Sequence, residues 1–403
     1  MSIAASPTFR RDVKILGLVS AGHFLSHFYS ICLPPVFLFM QADLGVSFAM
    51  LGLLMSVRSF VSGAMQIPAG MLVDRIGARP VLIGGMVLMA GATALVAMAP
   101  GYWSIMALSI VMSFGNSVFH PTDYAILNAS VTRSWVGRAF SFHTFAGQLG
   151  TAVAPAIVLA LAHYGDWRMA QAVIGLAGFV VLGGLALEWR NMHDESIPQR
   201  RKKDSAQPNH WAVLLSPPML IMSAFFTATA LQSGGMQSFF VVGLTALHGT
   251  DSATAGAALS AYLLAAAIGV LFGGVLADFN KRHDVTAAAA FLISAVILAL
   301  LVWVPLAELP LIIVMVVSGL MQGAVRPARD MMVRAVVPAN AMGKAFGVVS
   351  SGQAVGGAIA PVLFGWMVDL GRPDWVFYLM ILFTLLCVAA SFAPKALRSV
   401  EVV

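Results

Sequence analysis

The sequence carries few charged residues for its length. Only 10% of its 403 residues are charged, whereas a water-soluble domain carries roughly 25%. The 23 Lys and Arg and the 17 Asp and Glu are too few to solvate a globular surface of this size. This shortage excludes a soluble enzyme and a free nucleic-acid-binding protein.

Cysteine is equally scarce, and motifs for catalysis are missing. Cys32 and Cys387 lie in apolar runs without CxxC or Cys/His spacing, so both are interpreted as small hydrophobic residues. A nucleophile elbow, a His/Glu metal pattern and a Gly-rich phosphate loop do not occur in or beside an apolar segment. We therefore expect no enzyme activity, including that of a membrane-embedded enzyme, and no cofactor.

Apolar residues are abundant, and they come in long blocks. They make up 59% of the chain, or about 238 residues, and a spanning helix needs about 20 of them. Blocks such as 81–100 and 287–305 are continuously apolar, which is unlike the alternating strands of a membrane barrel. The composition predicts an all-α membrane protein with twelve transmembrane helices, because helices satisfy their own backbone in lipid.

Breaks in hydropathy predict two sets of six spans separated by a polar linker. The domains are then an N-terminal six-helix bundle over 1–189, a cytoplasmic linker over 190–210 and a C-terminal six-helix bundle over 211–403. The predicted spans are 13–40, 47–73, 80–100, 103–132, 137–162 and 168–188, then 211–243, 252–277, 284–305, 309–337, 342–368 and 374–394. The segment up to residue 40 is too long for a signal peptide and is interpreted as the first span.

The distribution of basic residues tests this count of spans. With both termini in the cytoplasm, seventeen of the 23 Lys and Arg fall on the inside, two fall outside and four lie within spans. Such a bias is what the positive-inside rule requires. The net charge of +6 is therefore a signal of topology. We expect a multi-pass protein of the cell inner (plasma) membrane that binds no nucleic acid.

The two halves are related by an internal repeat. A shift of 206 residues places Pro121 on Pro327, Gly150 on Gly356 and Ala154-Pro155 on Ala360-Pro361. The same shift places Gly137-Arg138-Ala139-Phe140 on Gly343-Lys344-Ala345-Phe346. These matches indicate two pseudo-symmetric six-helix bundles, an arrangement typical of transporters whose substrate site lies at mid-membrane.

With these spans and this repeat, the chain resembles the major facilitator superfamily over essentially its whole length. The segment from Gly70 to Arg79, with Asp74 and Arg75, is similar to the signature loop of that superfamily, and a weaker copy includes Asp278. The resemblance implies the major facilitator fold and a loop network that latches one access state. The alternative is that these are ordinary charges of the cytoplasmic side.

The fourth and fifth spans resemble a narrower group within that superfamily. Phe119-His120-Pro121, Gly137-Arg138-Ala139 and Gly147-Gln148-Leu149-Gly150 are similar to segments of the fosmidomycin-resistance group. The Gly and Pro pattern of span five gives only weak support for export, because the full antiporter motif is missing.

Polar residues within spans are costly in lipid, so they mark candidate sites. His23 and His27 lie one turn apart in span one, near mid-membrane. They are candidates for binding a proton or a polar substrate, and the alternative is packed histidines bonded to carbonyls. Two histidines alone do not make a zinc site, so we expect no metal.

Spans four and ten carry polar residues at equivalent positions. His120, Asp123, Tyr124 and Asn128 have the spacing of one helical face. The repeat places Arg326 and Arg329 on His120 and Asp123, which suggests either a pair across a cavity or one asymmetric site. Asp330 has Arg326 and Arg334 four residues away and can be neutralised within its own helix.

Asp123 is the best single candidate for a proton carrier. A carboxyl group in apolar surroundings holds its proton more readily, and a nearby Arg reverses that effect. The alternative is a permanent ion pair. Arg58, Arg326 and Arg329 leave more positive than negative charge within the spans, which favours an anionic substrate.

The sequence as a whole predicts a secondary active transporter that works by alternating access. We expect a monomer in the lipid bilayer that exports a small organic anion or a polar drug-like compound, with protons as the coupling ion. The alternative with the same fold is a proton- or sodium-coupled symporter that imports an organic acid. A sensor or scaffold without transport activity would be expected to lose the charges within the spans, and these are present.

Overall fold

The structure is a computed structural model of the whole chain, and it describes residues 7–193, 216–280, 282–336 and 342–400. All regular secondary structure in these residues is helical. Most of the expected linker, 190–210, lies outside the described residues, because only 190–193 belong to them.

The first half contains eight α-helices. They are α1 Pro7–Ile31, α2 Phe37–Leu44, α3 Phe48–Ile76, α4 Ala78–Val96, α5 Tyr102–Ser117, α6 Phe119–Ser130, α7 Val136–Tyr164 and α8 Trp167–Leu187. A 3₁₀ turn, Pro34–Val36, joins α1 to α2, and Val118 separates α5 from α6. Each of these two pairs forms a single crossing, over Thr8–Leu44 and Tyr102–Ser130.

Six helices make up the described part of the second half. They are α9 Pro217–His248, α10 Ser252–Phe279, α11 His283–Trp303, α12 Glu308–Val336, α13 Met342–Asp369 and α14 Asp374–Val400. Among the described residues, eleven helical stretches are long and apolar enough to cross a membrane. The remaining helix, α9, has 32 residues and carries polar side chains such as Gln232 and Gln237. The arrangement agrees with the expected twelve spans.

The duplication is visible in the helix bounds. Adding 206 to the ends of the α5–α6 crossing, 102 and 130, gives 308 and 336, which are the ends of α12. The same shift moves the first residue of α7, Val136, onto that of α13, Met342. Helices α7 and α13 also carry their prolines, Pro155 and Pro361, 206 residues apart.

Two glycines end helices at equivalent places. Gly45 after α2 has φ 64°, and Gly249 after α9 has φ 67°. This left-handed conformation turns the chain out of a helix and is strained for residues with a Cβ. Both glycines donate their backbone N–H to a carbonyl four residues earlier, at Gln41 and Thr245.

The chain divides into two compact units. The first comprises 1–46 and 57–201, and the second comprises 47–56 and 202–403. The boundary near residue 201 falls within the stretch that the hydropathy pattern assigned to the linker. The assignment of 47–56 to the second unit differs from the predicted division at 189 and 211, which placed these residues in the first domain.

Glycines at repeated positions allow close helix contacts within each unit. In the first unit, a Cβ added to Gly150 of α7 would lie 2.1 Å from the backbone oxygen of Phe24 in α1. In the second unit, a Cβ on Gly356 of α13 would lie 2.5 Å from the backbone oxygen of Thr227 in α9. Small residues at membrane helix interfaces allow this approach. The repeated glycine therefore serves the same packing in both halves.

Candidate functional site

Four histidines and one carboxylate meet inside the first unit. His23 and His27 come from α1, His120 and Asp123 from α6, and His143 from α7. The ring centroid of His23 lies 4.6 Å from that of His27, 5.3 Å from that of His120 and 4.0 Å from that of His143. We call these five side chains the histidine cluster.

Asp123 is the centre of the histidine cluster. Its Oδ2 lies 3.1 Å from Nδ1 of His23 and 3.4 Å from Nε2 of His143. The three side chains are 0%, 5% and 1% exposed, respectively. Within the described part of the chain, no Lys or Arg lies within ion-pair distance of this carboxylate. The ionisable groups nearest to it are therefore the imidazoles of His23 and His143.

The close packing of α1 against α7 positions the two histidines of α1 in the histidine cluster. A Cβ on Gly147 of α7 would lie 2.6 Å from Cδ2 of His23 and 3.0 Å from Cδ2 of His27. A glycine at 147 is therefore needed for both rings to pack against α7. Nδ1 of His27 also lies 3.1 Å from Oγ1 of Thr151, one turn further along α7.

Helix α6 has two different sides at this site. Asp123 is fully buried, whereas His120, Tyr124 and Asn128 are exposed. The sequence spacing predicted one shared polar face, and this is wrong for Asp123, which points into the bundle toward α1 and α7. The rings of His120 and Tyr124 stack with centroids 6.2 Å apart on the exposed side.

His143 was not predicted from the sequence. It lies in α7, and its side chain is among the most deeply buried of the polar residues. His143 could have been identified from the sequence, because it is an ionisable residue within the predicted span 137–162. Its neighbours Phe142 and Phe145 are exposed, whereas His143 faces inward.

Arg58 has a local explanation in the fold. Its side chain is buried in the first unit, and Nη2 donates to the backbone oxygen of Tyr29 at a distance of 2.6 Å. Tyr29 lies in the last turn of α1, where unpaired carbonyls carry the negative end of the helix dipole. This contact stabilises the charge of Arg58. The excess of positive charge within the spans that a substrate would have to balance is therefore smaller than the sequence predicted.

The second unit contains the arginines of α12. Nε of Arg329 donates to Oδ1 of Asp330 at 3.3 Å, and the guanidinium carbon lies 4.1 Å from the ring centroid of Phe226. Asp330 was expected to be neutralised by Arg326 or Arg334, but within the described residues its ion pair is with Arg329. Arg326 and Arg329 are half-buried, and Arg334 is exposed.

The segment expected to be a signature loop consists of the end of α3 and the start of α4, joined by Gly77 alone, and it places its charges at the surface. Asp74 and Arg75 are exposed, and Gly70 is half-buried. Asp74 was expected to bond to a neighbouring helix, but it forms no hydrogen bond or ion pair with the residues that the structure describes. Nη1 of Arg79 donates to the backbone oxygen of Trp189 at 3.2 Å. The side chain of Asp278 lies outside the described residues.

Comparison with known proteins agrees with this architecture. The chain is 24% identical over 373 residues to the multidrug resistance protein MdtH of Shigella boydii serotype 4, which covers 88% of each chain. It is also 30% identical over 151 residues to a probable L-galactonate transporter of Escherichia coli K12. That second alignment covers 38% of this chain and 33% of the galactonate protein, so it spans a third of that relative.

Solved structures share the fold. A bacterial homologue of the human lysosomal transporter Spinster, in an inward-facing and unoccupied conformation, superposes with a TM-score of 0.78 at 14% identity, covering 97% of this chain and 98% of the other. The nucleoside transporter NupG gives 0.76 at 15% identity, covering 96% and 98%. The family model of the Major Facilitator Superfamily matches residues 19–248 and 228–400. The chain therefore belongs to the Major Facilitator Superfamily and is a multi-pass membrane transporter, not an enzyme.

Proposed function

We propose that the protein exports a small organic anion or a polar drug-like compound by alternating access, in exchange for protons. The observation that carries the proposal is the buried carboxylate of Asp123, which is surrounded by histidines. A charge at such depth needs a compensating positive charge. A proton on the carboxylate or on an imidazole supplies that charge.

A route for the proton leads from the exposed side of α6 to the carboxylate. His120 is exposed, its ring centroid lies 5.3 Å from that of His23, and Nδ1 of His23 lies 3.1 Å from Asp123. His27 and His143 flank His23 from α1 and α7. Each imidazole has one nitrogen that can accept a proton and one that can donate it, so these side chains form a chain of proton acceptors and donors from the exposed side of α6 to Asp123.

The arginines of the second unit support an anionic cargo. Arg329 uses Nε for Asp330, and its Nη atoms form no hydrogen bond with the described residues. A guanidinium with unused donors in a half-buried place suits a carboxylate or a phosphate. Two relatives are compatible with the proposed cargo: one is a probable transporter of L-galactonate, which is a carboxylate, and MdtH is a multidrug resistance protein, which fits a drug-like compound.

Replacement of Arg329 by alanine is expected to weaken cargo binding. Hydrogen bonds to charged groups contribute about 1.5–3 kcal/mol, which corresponds to about tenfold or more in affinity. The measurement is the concentration of a transported anion that gives half-maximal flux or half-maximal thermal stabilisation.

Arg334→Ala is the matched control for that change. Arg334 lies on the same helix but is exposed, so it can extend toward the lipid–water interface. We expect its affinity for the cargo to equal that of the parent. Equal losses in both variants would show a general charge effect, and no loss in Arg329→Ala would remove Arg329 from the binding site.

The coupling is tested with purified protein in liposomes that contain a pH-sensitive dye. A panel of organic anions, including galactonate, and of antibiotics is added outside at equal pH on both sides, with the membrane potential held at zero. Exchange of entering cargo for protons predicts that the interior pH rises. A fall identifies the proton symporter, whereas cargo flux without a pH change excludes proton coupling and favours sodium.

We also propose where the protein lies in the cell, which group of the superfamily it belongs to and what its motif between spans two and three does. We place the protein in the cell inner membrane as a monomer with both termini in the cytoplasm, because seventeen of 23 basic residues then lie inside. The motifs of α6 and α7 support membership of the fosmidomycin-resistance group. The loop with Gly70, Asp74, Arg75 and Arg79 is proposed to latch one access state, with Asp278 in the second copy.

A further inference from the structure

The centre of the histidine cluster has the composition of a metal site. His23, Asp123 and His143 each offer one ligand atom, and these atoms lie within 4.8 Å of one another. Two imidazoles and a carboxylate are typical ligands of zinc and of neighbouring transition metals. The three residues come from α1, α6 and α7, so the fold and not a local motif brings them together.

Two of the three distances between these ligand atoms fit a tetrahedral ion, and all three are within 4.8 Å. Ligands about 2.0–2.1 Å from zinc lie about 3.3 Å from one another along a tetrahedral edge. Oδ2 of Asp123 lies 3.1 Å from Nδ1 of His23 and 3.4 Å from Nε2 of His143. Both distances agree with two edges of such a tetrahedron that share the carboxylate oxygen.

Hydrogen bonding does not explain the same contacts. Nδ1 of His23, both carboxylate oxygens of Asp123 and both ring nitrogens of His143 are buried without a hydrogen-bond partner in the described residues. The imidazoles and the carboxylate are close, but they are not oriented as donors and acceptors. Buried polar atoms in proteins are almost always paired, so unpaired ligand atoms on three neighbouring residues indicate a bound group.

We propose that His23, Asp123 and His143 bind a divalent transition-metal ion of the zinc class. Three protein ligands leave one coordination position for water or a fourth ligand, which is the pattern of exchangeable sites and not of closed structural ones. Of the two other histidines, His27 is engaged by Oγ1 of Thr151, and His120 lies on the exposed side.

Metal binding at this place has a consequence for transport, which rests on the proposed function. A metal ion binds deprotonated imidazoles and an ionised carboxylate, so it excludes protons from the same atoms. Because its ligands come from three helices, the ion also crosslinks α1, α6 and α7. The ion is therefore an inhibitor of proton-coupled transport that acts from within the first unit.

The binding test uses the full-length protein in detergent, purified without a histidine tag and treated with a chelator. Titration with Co²⁺ is expected to give the visible absorption of a four- or five-coordinate ion at one equivalent, and Zn²⁺ should displace it. His143→Gln and Asp123→Asn should each weaken the affinity by at least about 100-fold, since second-shell changes alone cost 10–100-fold.

The matched control is His163→Gln, because His163 lies on the same helix as His143 but is exposed at its end. Zn²⁺ should raise the unfolding temperature of the parent and of this control, but not that of His143→Gln. Unfolding temperatures without metal show whether each variant is folded. Absence of Co²⁺ absorption in the parent, or equal affinity in the parent and His143→Gln, would overturn the proposal.

The two proposals fail in different ways. Binding of Co²⁺ at one equivalent without any cargo-driven proton movement would support the metal site and contradict proton coupling. Proton movement that Zn²⁺ does not inhibit, in a protein that binds no Co²⁺, would support coupling and contradict the metal site.

Discussion

Asp123→Asn is expected to abolish cargo-driven proton movement while cargo exchange continues. Asn has nearly the same shape as Asp, but its amide does not bind a proton in the physiological range. Asp123 is the sole carboxylate of the histidine cluster, and its neighbours are the imidazoles of His23 and His143. The variant therefore keeps the packing and loses the group that holds the proton.

One measurement and one control variant distinguish this result from a loss of folded protein. Exchange of labelled for unlabelled cargo at equal pH should persist, because it needs alternating access but no net proton transfer. Asp43→Asn is the matched control, since Asp43 is exposed and forms a surface ion pair with Arg168. Proton movement like that of the parent in Asp123→Asn would show that the coupling site lies elsewhere.

Gly150→Ala is expected to destabilise the first unit strongly. The added Cβ would lie 2.1 Å from the backbone oxygen of Phe24, so α1 and α7 must move apart. Overpacking a close helix contact costs about 1–3 kcal/mol. The same shift would separate His23 from His143, and hence both unfolding temperature and coupled transport should fall.

Gly17→Ala provides the comparison on the partner helix. Gly17 lies in α1, and an added Cβ would meet nothing within 4 Å. Alanine is favoured over glycine within a helix by about 1 kcal/mol, so this variant should be as stable as the parent or more stable. The measurement is thermal unfolding in detergent, and equal stability of Gly150→Ala and the parent would contradict the packing described for α1 and α7.

The fold could be predicted from the sequence because lipid leaves few alternatives. Apolar length and the distribution of Lys and Arg placed the spans within a few residues of the observed helices. For example, the predicted span 252–277 corresponds to α10, Ser252–Phe279. The repeat of 206 residues was visible because glycine and proline positions are set by helix contacts and bends that both halves share.

The candidate site could be predicted only in part, because helical spacing says which residues share a face but not what that face meets. His23 and His27 were placed together correctly by their spacing of one turn. The approach of α7, which brings His143 to Asp123, depends on tertiary packing through Gly147. Spacing along α6 likewise did not reveal that Asp123 faces the bundle while Tyr124 is exposed.

Charge counting had a similar limit. The excess of arginine within the spans was used to argue for an anionic cargo. The guanidinium of Arg58 instead donates a hydrogen bond to the backbone of the last turn of α1. A count of charged side chains does not include such a backbone partner. The anionic cargo that we propose is therefore favoured by Arg329 of the second unit, which keeps donors that its contact with Asp330 does not use.

The most direct test of proton-coupled export is the accumulation ratio of a transported compound in liposomes with an imposed pH gradient and zero membrane potential. Exchange of one proton per cargo predicts that the compound concentrates on the acidic side, about tenfold for each pH unit. Accumulation on the alkaline side would identify symport. A ratio that stays at unity whatever the pH gradient would contradict coupling to protons.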